Sequence, residues 1–218
     1  MNALTSRGTW VPLIGAGVVS IDDWDQGVSD WAVENTPVFG STEKAIEASD
    51  NLKTLTTVAM VGTAVAVPNG DGAWEWKPER LLLEFGAVQL NNLLTSGLKS
   101  ATSRERPDGS DDRSFPSGHS SQAWTRTTLA SRNVDQIPSL SKGWRVTLKT
   151  SFRVIAAGTS WARVEGGVHY PSDVLFGAAL GNFVAIFVHD AFLPADTKTR
   201  FSATLSRKEA SFSVSITF

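Results

Sequence analysis

The chain has 218 residues, a formal net charge of −2 and a mean hydropathy of −0.08. That length suits one well-buried core rather than two, and the balanced charge argues against a nucleic-acid partner or a strongly basic membrane-binding protein. The lack of cysteine excludes disulfides, thiolate metal sites and a cysteine nucleophile together.

The apolar run Trp10 to Ile21 follows a single basic residue, Arg7, and reads either as the remnant of a secretory signal or as a packed N-terminal segment. Trp24, Val28 and Trp31 at helical intervals predict a short amphipathic helix over Asp22 to Glu34, with a loop through Ser41. Ser41-Thr-Glu-Lys starts a second helix to about Asp50, and Leu52 to Val67 forms a third, whose apolar run Thr56 to Val67 is too short to cross a bilayer, which takes about 20 residues, and reads as buried. Pro68 to Gly72 is a break, beside which Trp74 and Trp76 either line a ligand mouth or, the commoner role, pack on the bundle. Pro78 opens a helix over Glu79 to Leu98 that delivers Lys99 at its C-terminal end. The polar loop Thr102 to Ser114 carries Arg106 and Arg113, the latter expected to pair with Asp111 or Asp112.

His119 to Arg132 and Lys142 to Arg163 predict two more helices. On the second, Lys142, Arg145, Lys149 and Arg153 share one face, a solvated stripe by default and a contact for anionic lipid as the alternative. Gly166-Gly167 lets the chain turn before His169, and Pro171 starts a final helix. Its run Val174 to Val188 is short and interrupted by Asn182, so it is expected inside a bundle rather than across a membrane. Beyond it, Phe201, Ala203 and Leu205 and then Phe212, Val214, Ile216 and Phe218 alternate with polar residues, the period of a β-hairpin. The last arm resembles the final strand of an outer-membrane barrel, but two strands cannot close one. The expected architecture is a mostly α-helical bundle, residues 1–198, with a small C-terminal β-hairpin over 199–218.

Two segments carry the chemistry: Lys99 to His119 and Arg163 to Asp173. Lys99, Arg106 and Arg163 have no acidic partner in a salt-bridge register, and two of the three histidines lie in the same segments. A phosphate monoester presents a dianion whose oxygens must be held while phosphorus is attacked in line, so catalysis rests on positioning and electrostatics. Arginine offers a planar fork for two phosphate oxygens and lysine a compact charge. Ser117 and Gly118 precede a helix-like run, so amides there can point at an anion, and Gly118 leaves room for the approach. His169 with Asp173 suits a nucleophile held by a carboxylate, and His119 suits the acid that protonates the departing alkoxide.

Lys99-x6-Arg106-Pro107, Pro116-Ser117-Gly118-His119 and Arg163-x5-His169-x3-Asp173 together resemble the three signatures of the type 2 phosphatidic acid phosphatase superfamily, which includes bacterial class A acid phosphatases and vanadium haloperoxidases. The resemblance covers about residues 80 to 193. It implies a helical bundle of that type in which Lys99, Arg106, Ser117, Gly118 and Arg163 bind phosphate, His169 becomes phosphorylated, Asp173 orients it and His119 is the general acid. The family's third signature usually begins Ser-Arg, whereas Ser160-Trp161-Ala162 precedes Arg163 here.

The expected function is therefore hydrolysis of a phosphate monoester or pyrophosphate through a phosphohistidine, without a metal or cofactor and with vanadate as an inhibitor. The expected substrate is a phosphorylated lipid or a small phosphate ester, at a bacterial cell envelope, periplasmic or peripheral to a membrane. One rival is a vanadium-dependent haloperoxidase, since the same cage can hold vanadate. Another is a non-catalytic phosphate- or lipid-binding envelope protein, against which stand both histidines and Asp173, because binding alone needs only the cations.

Overall fold

The computed structural model describes residues 3–68, 76–193, 198–205 and 210–217, with side chains over 3–68 and 77–193. The expected break at 69–72 and the roles weighed for Trp74 and Trp76 lie outside the described residues, as do the side chains of the C-terminal strands. After a 3-10 turn, Ala3–Thr5, the helices are α1 (Arg7–Val19), α2 (Trp24–Asn35), α3 (Thr42–Ala66), α4 (Trp76–Thr102), α5 (Gly118–Asp135), α6 (Lys142–Glu165) and α7 (Pro171–Phe192). Strands β1 (Lys198–Leu205) and β2 (Ala210–Thr217) follow, paired antiparallel with Phe201 opposite Val214.

Serine starts most of these helices. The hydroxyls of Ser6, Ser41, Ser117 and Ser141 each accept from a backbone N–H in the first turn of α1, α3, α5 and α6, satisfying a donor that has no partner within the helix. Sequence reading splits the third of these segments into two helices around Asn51, but α3 runs unbroken for 25 residues. No proline or glycine stands between Asp50 and Leu52 to stop it, and the run is carried on by packing against α5 and α6. The apolar N-terminal run forms α1, which lies on α7.

The bundle is built around α5, which packs against α3, α4, α6 and α7 although it is one of the more polar helices in the chain. Thr125 and Thr127 are buried because each hydroxyl bonds a carbonyl one turn back in its own helix, at 2.8 Å in both cases. Between α5 and α7 the backbones nearly touch. A Cβ on Gly177 would stand 2.8 Å from the Ser117 carbonyl oxygen, and one on Gly181 would stand 2.3 Å from that of Ser121. These two glycines, one turn apart, set the start of α7 against the start of α5. Met60, Val88, Leu129, Val184, Ala185 and Val188 form the main apolar cluster at the far end of the crossing.

Among the described residues α7 is the one helix long and apolar enough to cross a membrane, with a mean hydropathy of 1.6 in its best window, 61% of which is buried by its neighbours. At the other end of α6, buried Glu165 accepts from the Val38 and Phe39 amides and from Trp161 Nε1, at 3.2, 2.6 and 2.8 Å, pinning the α2–α3 loop beside the turn that leads to His169.

Candidate active site

Three polypeptide segments are stitched together at one end of the bundle. Ser117 N donates to the Asp173 carbonyl at 3.0 Å, Ser114 N to the Arg104 carbonyl at 2.9 Å, and Arg106 Nη1 to the Val168 carbonyl at 3.3 Å. The turn before His169 is made by Gly166, where a Cβ would fall 2.9 Å from Ile46 Cγ1, and Gly167, at φ 70°. Its amides at Val168 and His169 fold back on the Arg163 carbonyl, both at 3.2 Å. The site residues read from the sequence thus meet: Lys99 from the last turn of α4, Arg106 from the following loop, Arg163 from the last turn of α6, Ser117, Gly118 and His119 at the start of α5, and His169 and Asp173 at the start of α7.

Arg163 is 8% exposed; its Nη1 donates to Ser49 Oγ at 3.1 Å and its buried Nε has no partner. Burial, then the nearby Arg106 cation, pulls its pKa down to about 10. Lys99 Nζ donates to the carbonyls of Arg113 and Ser114, and burial followed by repulsion from Arg106 lowers it to about 8. Arg106 thus repels both Lys99 and Arg163, a gathering of cations that suits an anion. Arg106 is the correction. Its Nε donates to Asp111 Oδ1 at 2.5 Å, because the loop turns at Gly109 (φ 68°) and bonds Arg106 N to the Asp111 carbonyl at 3.0 Å. The Asp111 carboxylate therefore pairs with the Arg106 guanidinium and accepts only the backbone amide of Arg113, at 2.8 Å, a fold-back that linear spacing does not reveal. At Gly118 a Cβ would meet only Thr95 Cγ2 at 3.8 Å, so protein packing does not demand the glycine.

His169 is 2% exposed, and its Nδ1 faces Asp173 Oδ2 at 3.6 Å, longer than a hydrogen bond, with no other partner. Burial pulls its pKa down to about 4 against the opposing pull of Asp173, so the ring is neutral over most of the pH range, as a nucleophile must be. Asp173 is fully buried and held by Ser114 Oγ at 2.5 Å, Tyr170 N at 2.8 Å and Arg104 Nη1 at 2.9 Å. Burial pushes its pKa up, but His169, the Ser114 hydroxyl and the Arg104 cation together hold the carboxylate below the usual range. His119 Nε2 meets Asp50 Oδ1 and Lys53 Nζ, both at 2.8 Å. Burial and Arg163 lower its pKa to about 4, while Asp50 opposes them.

Sequence reading missed Arg104, Ser114, Asp25, Asp50 and Lys53 at this site. Arg104 stands two residues before Arg106 in the same loop, a signal that was legible; Asp25, Asp50 and Lys53 come from α2 and α3, outside every motif. Ser160 bonds Ser120 Oγ at 2.8 Å and Trp124 Nε1 at 3.1 Å and so joins α5 to α6. Among the described residues no three His, Asp or Glu side chains converge as metal ligands. The basic stripe on α6 is partly tied down: Lys149 pairs with Asp135 at 2.7 Å and Arg145 bonds the Ile137 carbonyl at 2.8 Å, leaving Lys142 and Arg153 exposed.

A family model described as the PAP2 superfamily matches residues 80–195. Phosphatidylglycerophosphatase B of Bacillus subtilis is 37% identical over 112 residues, 49% of this chain and 53% of that protein. Lipid A 1-phosphatase of Porphyromonas gingivalis is 33% identical over 100 residues, 46% of this chain and 21% of that protein. The chain thus spans about half the length of one curated relative and about a fifth of the other. The crystal structure of a transmembrane PAP2-type phosphatidylglycerolphosphate phosphatase from Bacillus subtilis superimposes with a TM-score of 0.63 at 26% identity, over 83% of this chain and 92% of that one.

Proposed function

Because this chain belongs to the PAP2 superfamily, we propose that it is a phosphatase that removes the terminal phosphate of a lipid by way of a phosphohistidine on His169, with no metal taking part. The observation that carries the reading is the meeting of Lys99, Arg106 and Arg163 with a neutral, buried His169 backed by Asp173. The cations hold the equatorial phosphate oxygens, and the amides at the start of α5 add donors aimed at the same charge. Nε2 of His169 attacks phosphorus in line while Nδ1 gives its hydrogen bond to Asp173, closing the 3.6 Å gap as the imidazolium character grows. His119 protonates the leaving oxygen, and in the second half it takes a proton from the water that splits the phosphohistidine.

The lipid substrate is supported by the two curated relatives, both lipid phosphatases by name. It is supported too by the surface: Trp10, Val11, Ile14 and Val18 on α1 and Leu82 and Leu93 on α4 are 45 to 71% exposed on helices that both pack on α7. Exposed apolar side chains of this kind suit contact with a membrane, at a bacterial envelope, better than the half-neutralised stripe on α6 does. Phosphate release from phosphatidate, phosphatidylglycerophosphate, a lipid A 1-phosphate, an isoprenoid pyrophosphate and p-nitrophenyl phosphate, with and without detergent, tests the substrate class. Trapping of acid-labile radiolabelled phosphate on the wild type and not on His169→Ala tests the intermediate. Preference for the soluble ester, or a trapped label that survives in His169→Ala, would overturn the corresponding part.

A further inference from the structure

We infer that Arg104, itself held by Asp25 of α2, is a positioning residue that fixes Asp173 behind the nucleophilic His169. The inference rests on the reading of His169 as nucleophile. The guanidinium lies over the Tyr170 ring, with Cζ 4.1 Å from the ring centroid, and its two ends point at two carboxylates. Nη1 donates to Asp173 Oδ1 at 2.9 Å and to Ser172 Oγ at 2.8 Å, while Nη2 donates to Asp25 Oδ2 at 2.7 Å. Asp25 is 6% exposed and also accepts from the Ser172 amide at 2.8 Å and from the Ser172 hydroxyl, so α2 caps the first turn of α7.

The arrangement divides the labour of the Asp173 carboxylate. Oδ2 takes Ser114 Oγ and Tyr170 N and faces His169 Nδ1, whereas Oδ1 has Arg104 as its charged partner. Asp173 is wholly buried, so without that partner Oδ1 would be an uncompensated carboxylate oxygen in the interior, and the Asp173–His169 pair would bind a proton at higher pH. That proton costs the pair its neutral nucleophile, and the lost Oδ1 contact leaves the acceptor behind His169 less firmly held. Arg104 meets the Asp173 oxygen that His169 does not face, so we take it to act on the reaction through Asp173 rather than on phosphate.

The charged and titratable groups that face the Asp173–His169 pair are Arg104 from the loop after α4, Lys99 from α4, Arg163 from α6, Tyr170 from the turn before α7, and Asp25 from α2 beyond Arg104. Removing the Arg104 cation lets the pair bind its proton at higher pH; removing the Asp25 anion lets it bind at lower pH. The two substitutions therefore shift titration in opposite directions although both loosen the same contact.

The test combines kinetics on p-nitrophenyl phosphate with ¹⁵N-histidine NMR, in which the three ring systems are assigned by single histidine substitutions. Arg104→Gln should lower kcat about 100-fold with KM little changed, and raise both the acidic limb of kcat/KM and the His169 titration midpoint. Arg104→Lys should restore the midpoint and recover only part of kcat, since it returns the charge but not the fork. Asp25→Asn should lower kcat less, and lower the midpoint. A rise in KM at constant kcat would make Arg104 a substrate contact, and an unchanged midpoint in Arg104→Gln would leave it a structural prop; either overturns the inference. If the wild type releases no phosphate from any ester, the proposed function fails by itself, and the NMR shifts still decide whether Arg104 governs the Asp173–His169 pair.

Discussion

Replacing His119 with alanine separates general-acid catalysis from phosphate binding. In the free protein His119 has a pKa of about 4, so about a tenth of it is protonated at pH 5 and about a thousandth at pH 7. His169, also near 4, is in its reactive neutral form above that pH. For kcat/KM the required state is therefore His119 protonated with His169 neutral, which is most populated near pH 4 and declines about tenfold per unit above it. A bound phosphate dianion offsets the Arg163 charge that helps to depress His119, so the alkaline limb of kcat should lie at higher pH than that of kcat/KM. General-acid catalysis contributes about 100- to 10,000-fold for a poor leaving group. His119→Ala should lose that much on an alkyl phosphate at pH 5, lose about tenfold or less on p-nitrophenyl phosphate, and lose the alkaline limb of both profiles. Stopped assays of phosphate release across pH 3 to 8 measure all three. Equal losses on the two esters, or an alkaline limb that persists in the variant, would refute the assignment and point to Asp50 or Lys53, both 2.8 Å from the ring, as the group that matters.

Arg163→Lys keeps a charge but loses the fork and should reduce kcat/KM about 100-fold, while an unchanged value would show that Arg163 serves Ser49 rather than phosphate. Activity should survive EDTA and fall with vanadate; loss in EDTA reversed by Mg²⁺ or Zn²⁺ would contradict metal-free catalysis, and bromide oxidation by the vanadate-loaded protein would favour the haloperoxidase rival. Gly181→Ala forces a Cβ to 2.3 Å from the Ser121 carbonyl and should cost about 1–3 kcal/mol or more in urea unfolding, whereas Gly17→Ala, with open space around it, should be neutral or slightly stabilising. Burial raises Glu84 to about 7 from an ordinary value of 4.5, so between those pH values the folded state holds a proton that the unfolded state has lost, and stability falls as pH rises. Glu84→Gln should remove that decline, matching wild type near pH 5 and exceeding it by about 3 kcal/mol at pH 8; a parallel pH dependence in the variant would show that Glu84 stays ionised.

The sequence by itself determined which side chains could handle a phosphate, because the chemistry needs particular residue types at short spacings: Pro116-Ser-Gly-His119 at a helix start, Arg163 and His169 on either side of a Gly-Gly turn, and Asp173 one turn into the following helix. It also determined the positions of most helices, since their ends carry serine caps or proline and their interiors an apolar period. Where local signals were weak it erred, splitting α3 at residues that contain no breaker. What only the tertiary structure decided was long-range partnership. The polar α5 lies at the centre of the bundle because Thr125 and Thr127 satisfy their hydroxyls within the helix, Ser120 and Thr128 find partners on its neighbours, and Gly177 and Gly181 admit its backbone. Arg106 is claimed by Asp111 once the loop turns back, and Asp25, 147 positions from Ser172, reaches the first turn of α7. Contacts of that kind depend on how helices cross in space, and a linear spacing carries no record of the crossing.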